Sequence, residues 1–217
     1  MSNLRILIAD DHEVARDGIR SMLDEHPGWE VCGEARDGRE AVEMAGKLKP
    51  EVLLLDIGMP NLNGLDAARQ ILAIMPEARI LILTVHDSEQ VVREVLAAGA
   101  RGFLLKSDTG RDLVAAVEAL QHHRTFFTSR VAQMMLEGYL HPHSESEASD
   151  RRILTPRERE VIQLVAEGKS TKEVATALSL SVKTAETHRT NLMRKLDLHS
   201  IADLTLYAVR NGIVQVY

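Results

Sequence analysis

The 217-residue chain has a single cysteine, Cys32, and only 3% aromatic residues. A lone cysteine excludes an internal disulfide and a multi-cysteine metal site, and among apolar neighbours it reads as a packed thiol in a reducing compartment. Scarce aromatics leave the core to Leu, Val, Ile, Ala and Met. No apolar run approaches the ~18 residues that a membrane span needs. The opening MSNLRILIADD reaches two aspartates after one short apolar run, which reads as a strand rather than a signal peptide. No internal repeat is visible. These absences predict a soluble, cytoplasmic protein without membrane contact.

Charge is present but unevenly spread. The net charge is −6. Residues 1–150 carry 15 Lys and Arg against 25 Asp and Glu, whereas residues 151–217 carry 11 against 7. A basic tail on an acidic protein points to a polyanionic partner, although a solvated surface can carry the same charge.

Residues 1–123 alternate between two periods. Short apolar runs at Leu4–Ala9, Trp29–Ala35, Val52–Leu55, Ile80–Leu83 and Gly102–Leu105 read as strands. Between and after them lie segments with helical spacing, marked for example by Ile19 and Leu23, Ala41 and Ala45, Leu65 and Ala68, Val92 and Val95, and Leu113 and Val117. Alternating strands and helices predict an α/β domain with a doubly covered parallel sheet, whose strands are apolar throughout. Residues 124–152 read as a linker, weakly helical over Thr125–Leu140 and then polar and flexible through HPHSESEASDRR. Residues 153–217 contain no strand-like run and read as four short helices, the first opened by Thr155-Pro156.

Ligands of open α/β sheets bind beyond the carboxyl ends of the strands. There the sequence places Asp10 and Asp11 after strand one, Asp56 after strand three, Thr84 after strand four and Lys106 after strand five. Crowded carboxylates call for a cation, and hard oxygen ligands suit Mg²⁺. A carboxylate beside a metal suits phosphoryl transfer, with Asp56 as nucleophile and Lys106 and Thr84 on the transferred oxygens. His12, His86 and the pair His122 and His123 read as surface or packed histidines, lacking partners at ligand spacing.

The stretches ILIADDHEVARDG, LLLDIGMPNLNGLD, ILILTVHD and AGARGFLLK resemble the receiver domain of bacterial response regulators. The resemblance implies a flavodoxin-like sheet of five strands in the order 2-1-3-4-5. It implies phosphorylation of Asp56 by a partner histidine kinase. Mg²⁺ would be held by Asp11, Asp56 and the carbonyl of Gly58, with Asp10 nearby. Thr84 and Phe103 match a hydroxyl–aromatic pair that rearranges on phosphorylation, and Pro60 and Gly64 match the loop after the acceptor. Ser107 stands where many receivers have a proline after a cis bond; a cis bond before serine costs about 2.5–4 kcal/mol, so none is expected. Val85 stands where many have a smaller residue, which would narrow access to the phosphoryl group.

In the tail, Thr171–Leu178, a tight turn and Val182–Leu196 form a short helix, turn and longer helix, the helix-turn-helix arrangement. The longer helix has an apolar stripe of Val182, Ala185, Leu192 and Leu196 opposite a polar, largely basic face. Glu186 on that face is either an acceptor for cytosine or a helical partner of Lys183 or Arg189. LTPREREVIQLVAEGKSTKEVA and LSVKTAETHRTNLMRKL resemble the LuxR-type helix-turn-helix, and the whole chain resembles the NarL/FixJ class of response regulators. Ala185 replaces the more usual valine. The resemblance implies that Glu186, Thr187 and Thr190 face bases and that Lys183, Thr184, Arg189 and Lys195 hold the backbone of double-stranded DNA. Ile201–Asn211 would help form a homodimer. The expectation is therefore a transcription regulator gated by phosphorylation. Two other functions fit parts of the pattern: a phosphohydrolase, which leaves the basic tail unexplained, and a DNA-binding protein with a silent pocket, which leaves five compatible groups unexplained.

Overall fold

The computed structural model describes residues 3–86, 88–140 and 154–214, with backbone alone for 135–140. It falls into two units, 1–141 and 142–217.

The first unit contains strands β1 (Leu4–Ala9), β2 (Trp29–Ala35), β3 (Val52–Asp56), β4 (Arg79–Thr84), β5 (Gly102–Leu105) and β6 (Phe126–Phe127). Helices α1 (Glu13–Asp24), α2 (Gly38–Leu48), α3 (Gly64–Ile74), α4 (Glu89–Ala97), α5 (Thr109–Gln121) and α6 (Ser129–Leu140) alternate with them. All neighbours pair in parallel, in the order β2-β1-β3-β4-β5-β6. Successive strand residues enter opposite cores, which is why the runs are apolar throughout. Leu7, Ala9, Leu53, Leu55, Ile80, Ile82 and Phe103 join residues of α2, α3 and α4 on one face. Ile6, Ile8, Val52, Leu54, Leu81, Leu83 and Leu104 join α1 and α5 on the other.

The sixth strand is a difference from the sequence reading. Residues 126–127 were expected in a linker outside a five-stranded sheet, because two apolar residues are too few to show a period. They pair with β5 instead, Gly102 with Phe126 and Phe103 with Phe127. Phe126 packs on the α1–α5 face and Phe127 on the α4 face, and Val131 of α6 is buried there. The stretch expected to be flexible, 141–152, lies outside the described residues.

Cys32 is the extra residue of a β-bulge, since Ile6 pairs with Val31 and Leu7 with Gly33. Its thiol donates to the Ile6 carbonyl (3.3 Å), and burial raises its pKa, the state of an inert packed thiol.

The second unit contains α7 (Pro156–Ala166), α8 (Thr171–Ala177), α9 (Val182–Leu196) and α10 (Ile201–Arg210). Helix α7 opens with a full capping box between Thr155 and Glu158 and a first-turn proline, and α8 with a capping box between Ser170 and Glu173. Val161, Ile162, Leu164, Val174, Ala185, Leu192 and Leu204 form its core. Val182, expected in the apolar stripe of α9, is instead 44% exposed in the first turn of that helix. No helix among the described residues is long and apolar enough to cross a membrane.

Candidate functional sites

The parallel register brings four strand ends level. Ala9 pairs with Leu55, Asp56 with Leu83 and Thr84 with Leu105, so Asp10, Asp56, Thr84 and Lys106 emerge at one edge. Asp10, Asp56 and Thr84 are each 0–1% exposed. The Lys106 ammonium lies 2.7 Å from Asp10 Oδ2 and 2.9 Å from Asp56 Oδ2. Burial, and next the neighbouring Asp10 charge, push the Asp56 carboxyl from 3.8 up to about 6, against the pull of Lys106 and of the Gly58 N–H. Burial alone would lower the Lys106 ammonium, but the two carboxylates hold it above its ordinary value.

Carboxylate oxygens of Asp10, Asp11 and Asp56 and a ring nitrogen of His12 lie within 4.8 Å of one another. Three converging carboxylates, two of them bonded to one lysine and one of these pushed toward neutrality, are a donor set that fits a hard divalent cation. His12 departs from the sequence reading: its Nδ1 is 2.7 Å from Asp11 Oδ1 and 3.3 Å from Asp10 Oδ1. Adjacency to an Asp-Asp pair was the available signal, but the direction of the ring is set by the loop and not by spacing.

Sequence reasoning also missed Arg16. It is 5% exposed on α1, and its Nη1 donates to the Asp10 carbonyl at 2.7 Å, pinning the loop that carries Asp10 and Asp11. Gly64 has a steric cause. A Cβ there would sit 2.0 Å from the Asp56 carbonyl oxygen, so the loop folds back against the acceptor only with glycine. Thr84 Oγ1 accepts the His86 N–H at 3.1 Å. Phe103 is fully buried, Val85 is 52% exposed, and Lys106 begins a 3-10 turn through Asp108 with no cis peptide among the described residues.

In the second unit, α8 and α9 are joined by a turn in which Ser179 takes a left-handed conformation (φ 53°). Ser181 caps α9 by accepting the Thr184 N–H. Lys183, Thr184, Glu186, Thr187 and Thr190 are exposed, and Arg189 is half-buried. Glu186 has no ion pair to Lys183 or Arg189 among the described residues, so the helical-partner reading finds no support in the geometry. Two hydroxyls are already engaged: Thr187 Oγ1 donates to the Lys183 carbonyl at 2.9 Å, and Thr184 Oγ1 lies 2.7 Å from Ser181 Oγ. Lys195 is also engaged, its ammonium 2.7 Å from Glu158 Oε2, a pairing across 37 residues that helical periodicity cannot show. Burial of Glu158 works against its ionisation, yet the bonds from Lys195 and Thr155 hold its carboxyl below the usual value.

Residues 6–118 match the family described as the response regulator receiver domain, and residues 152–208 match the bacterial regulatory proteins of the luxR family. The chain is 36% identical over 211 residues to the transcriptional regulatory protein LiaR of Bacillus subtilis, covering 97% of this chain and 99% of that protein. It is also 36% identical over 215 residues to the oxygen regulatory protein NreC of Staphylococcus haemolyticus, with 97% and 99% covered. Among solved structures it is similar to RcsB from Salmonella enterica serovar Typhimurium bound to the promoter rprA with the phosphomimetic BeF3-. That match has a TM-score of 0.60 and 29% identity, over 95% of this chain and 98% of the other.

Proposed function

Because the chain belongs to the response regulators that join a receiver domain to a LuxR-type helix-turn-helix, transcription regulators rather than enzymes, we propose that it is a DNA-binding regulator switched by phosphorylation of Asp56. The observation that carries this reading is the Lys106 ammonium bridging the buried carboxylates of Asp10 and Asp56 at the level strand ends. Asp56 is thereby fixed and buried, with a cation already beside the place where new negative charge would develop.

A sensor histidine kinase is the proposed donor. An Asp56 oxygen attacks the phosphorus of the phosphohistidine, the N–P bond breaks with its electron pair going to the imidazole, and the phosphoryl group becomes an acyl phosphate. Asp10, Asp11, Asp56 and the Gly58 carbonyl would hold Mg²⁺, which when bound supplies charge neutralisation for the transferred oxygens. Lys106 contacts a phosphoryl oxygen, and Thr84 exchanges its His86 bond for another. Phosphate favours whichever receiver state it binds better, and in this reading that state dimerises and binds DNA. On α9, Glu186, Thr187 and Thr190 face bases, while Lys183, Thr184, Arg189 and Lys195 hold phosphates.

One experiment tests the reading. Native protein and Asp56→Ala are treated with acetyl phosphate and Mg²⁺, followed by intact mass and DNA binding. The expected result is one added phosphate and tighter DNA binding in the native protein only. An equal response from Asp56→Ala refutes the gate.

A further inference from the structure

We propose that Asp37, the cap of α2, is a positioning residue for phosphoryl transfer, because through Asn61 it fixes the loop between β3 and α3. The inference rests on Asp56 as acceptor and on the Gly58 carbonyl as a ligand of the divalent cation. The two oxygens of Asp37 are engaged separately. Oδ1 caps α2, accepting the N–H groups of Arg39 at 2.8 Å and Glu40 at 2.9 Å. Oδ2 accepts the side-chain amide of Asn61 at 2.8 Å, 24 residues away in sequence. One residue later, the Gly38 N–H donates to the Leu62 carbonyl at 3.1 Å. A Cβ on Gly38 would stand 2.1 Å from that oxygen, so the corner meets the loop this closely only with glycine. Two residues before Asp37, the Ala35 carbonyl accepts the Asp10 N–H at 3.2 Å. The corner between β2 and α2 thus holds the start of the loop with Asp10 and Asp11 and also the loop with Gly58.

The loop's own conformation explains why a side chain is needed there. Gly58 is followed by Met59 and Pro60, and a proline has no N–H with which to anchor the backbone. Asn61 takes a left-handed conformation (φ 64°), which asparagine tolerates better than most residues but which its surroundings must still hold. A carboxylate only accepts and the amide of Asn61 donates, so the pair has one sense. Hydrogen bonds to a charged group are also among the stronger ones. Asp37 is not one of the four residues whose donor atoms cluster for a cation, namely Asp10, Asp11, His12 and Asp56. It acts on the site through the loop. What it supplies is order before binding, since a fixed loop offers its carbonyl without first losing conformational freedom.

Three variants of the full chain test this, by calorimetric titration with Mg²⁺, hydrogen exchange in EDTA, and intact mass during treatment with acetyl phosphate. Asp37→Ser keeps a capping hydroxyl for α2 but loses the oxygen that meets Asn61. Asn61→Gly keeps the left-handed backbone without the amide. Each should weaken Mg²⁺ binding about tenfold, the scale of one hydrogen bond to a charged group, and speed exchange of the amides at 61–64. The same shift should appear in the Mg²⁺ needed for half-maximal phosphorylation, with the rate at saturating Mg²⁺ within twofold of native. The double variant Asp37→Asn with Asn61→Asp reverses donor and acceptor at constant charge, and should bind Mg²⁺ within twofold of native. A loss of helix capping alone would lower stability in urea and leave Mg²⁺ affinity untouched. Native Mg²⁺ affinity in either single variant, a fall confined to the saturated rate, or a reversed pair that binds as weakly as the single variants overturns the inference and leaves the acceptor reading standing. A native chain that gains no phosphate overturns the acceptor reading and this inference with it.

Discussion

Replacing Asp56 with asparagine should stabilise the receiver in the absence of metal, by an amount that depends on pH. The folded carboxyl titrates at about 6 against an ordinary 3.8, chiefly because it is buried and secondarily because Asp10 lies beside it. At about 1.36 kcal/mol per pH unit, keeping it ionised in the fold costs about 3 kcal/mol. A raised carboxyl pKa gives stability that is complete below pH 3.8 and lost as pH climbs through 6, because the folded state then holds the proton the unfolded chain has released. Asparagine keeps the shape and an acceptor for Lys106 without the charge. The two proteins should therefore match near pH 4, and Asp56→Asn should be about 2–3 kcal/mol more stable at pH 8. Urea titration in EDTA measures this, read by the fluorescence of Trp29, the chain's one tryptophan and buried in the first unit. Saturating Mg²⁺ should then stabilise native protein more than the variant, by about 2.7 kcal/mol at a hundredfold excess over Kd, and narrow the gap. A variant that is less stable at pH 8 without metal, or a gap equal at pH 4 and pH 8, refutes the reasoning.

Gly64→Ala should cost about 1–3 kcal/mol in urea unfolding, and lower the phosphate incorporated from acetyl phosphate, because its Cβ would strike the Asp56 carbonyl. Arg189→Ala should reduce the slope of log affinity for DNA against log salt by about one, the mark of one lost phosphate contact. Lys195→Ala should reduce it by less, because Glu158 already neutralises that ammonium. Arg79→Met should lower stability by about 3 kcal/mol in the same urea assay, since it strips donors from the Glu51, Leu120 and Gln121 carbonyls at the opposite end of the sheet.

The residues that were legible in sequence share a cause. Strands covered on both faces must be apolar at every position, so β1, β3 and β4 stood out, and with them the acids that end them. The α9 face was legible because 3.6-residue periodicity separates buried Ala185 and Leu192 from their exposed neighbours. What stayed hidden depends on contacts made across the fold. β6 is two residues long and exists only because Phe126 and Phe127 find an open edge on β5. The direction of His12, the bond from Arg16 to the Asp10 carbonyl and the pairing of Lys195 with Glu158 are likewise choices of rotamer and neighbour, and spacing carries no trace of them.

Those hidden contacts bear on how the proposed switch is built. A linker beginning at residue 124 would leave the receiver and the helices with nothing to exchange but their concentration near each other. A strand paired to β5 makes the start of that linker part of the sheet's packing instead. The chemistry at the other end is equally constrained. Lys106 bonds two buried carboxylates at once, which leaves its ammonium one further N–H for a phosphoryl oxygen. Without a second cation, a phosphoryl group on Asp56 would add negative charge beside Asp10 that one ammonium does not balance. In the proposed reading, a divalent cation held by Asp10, Asp11, Asp56 and the Gly58 carbonyl would supply that balance, and Lys106 would contact the transferred oxygens. Cation binding and ionisation of Asp56 would then be coupled, because burial and the Asp10 charge that raise the Asp56 pKa are what a bound cation would offset.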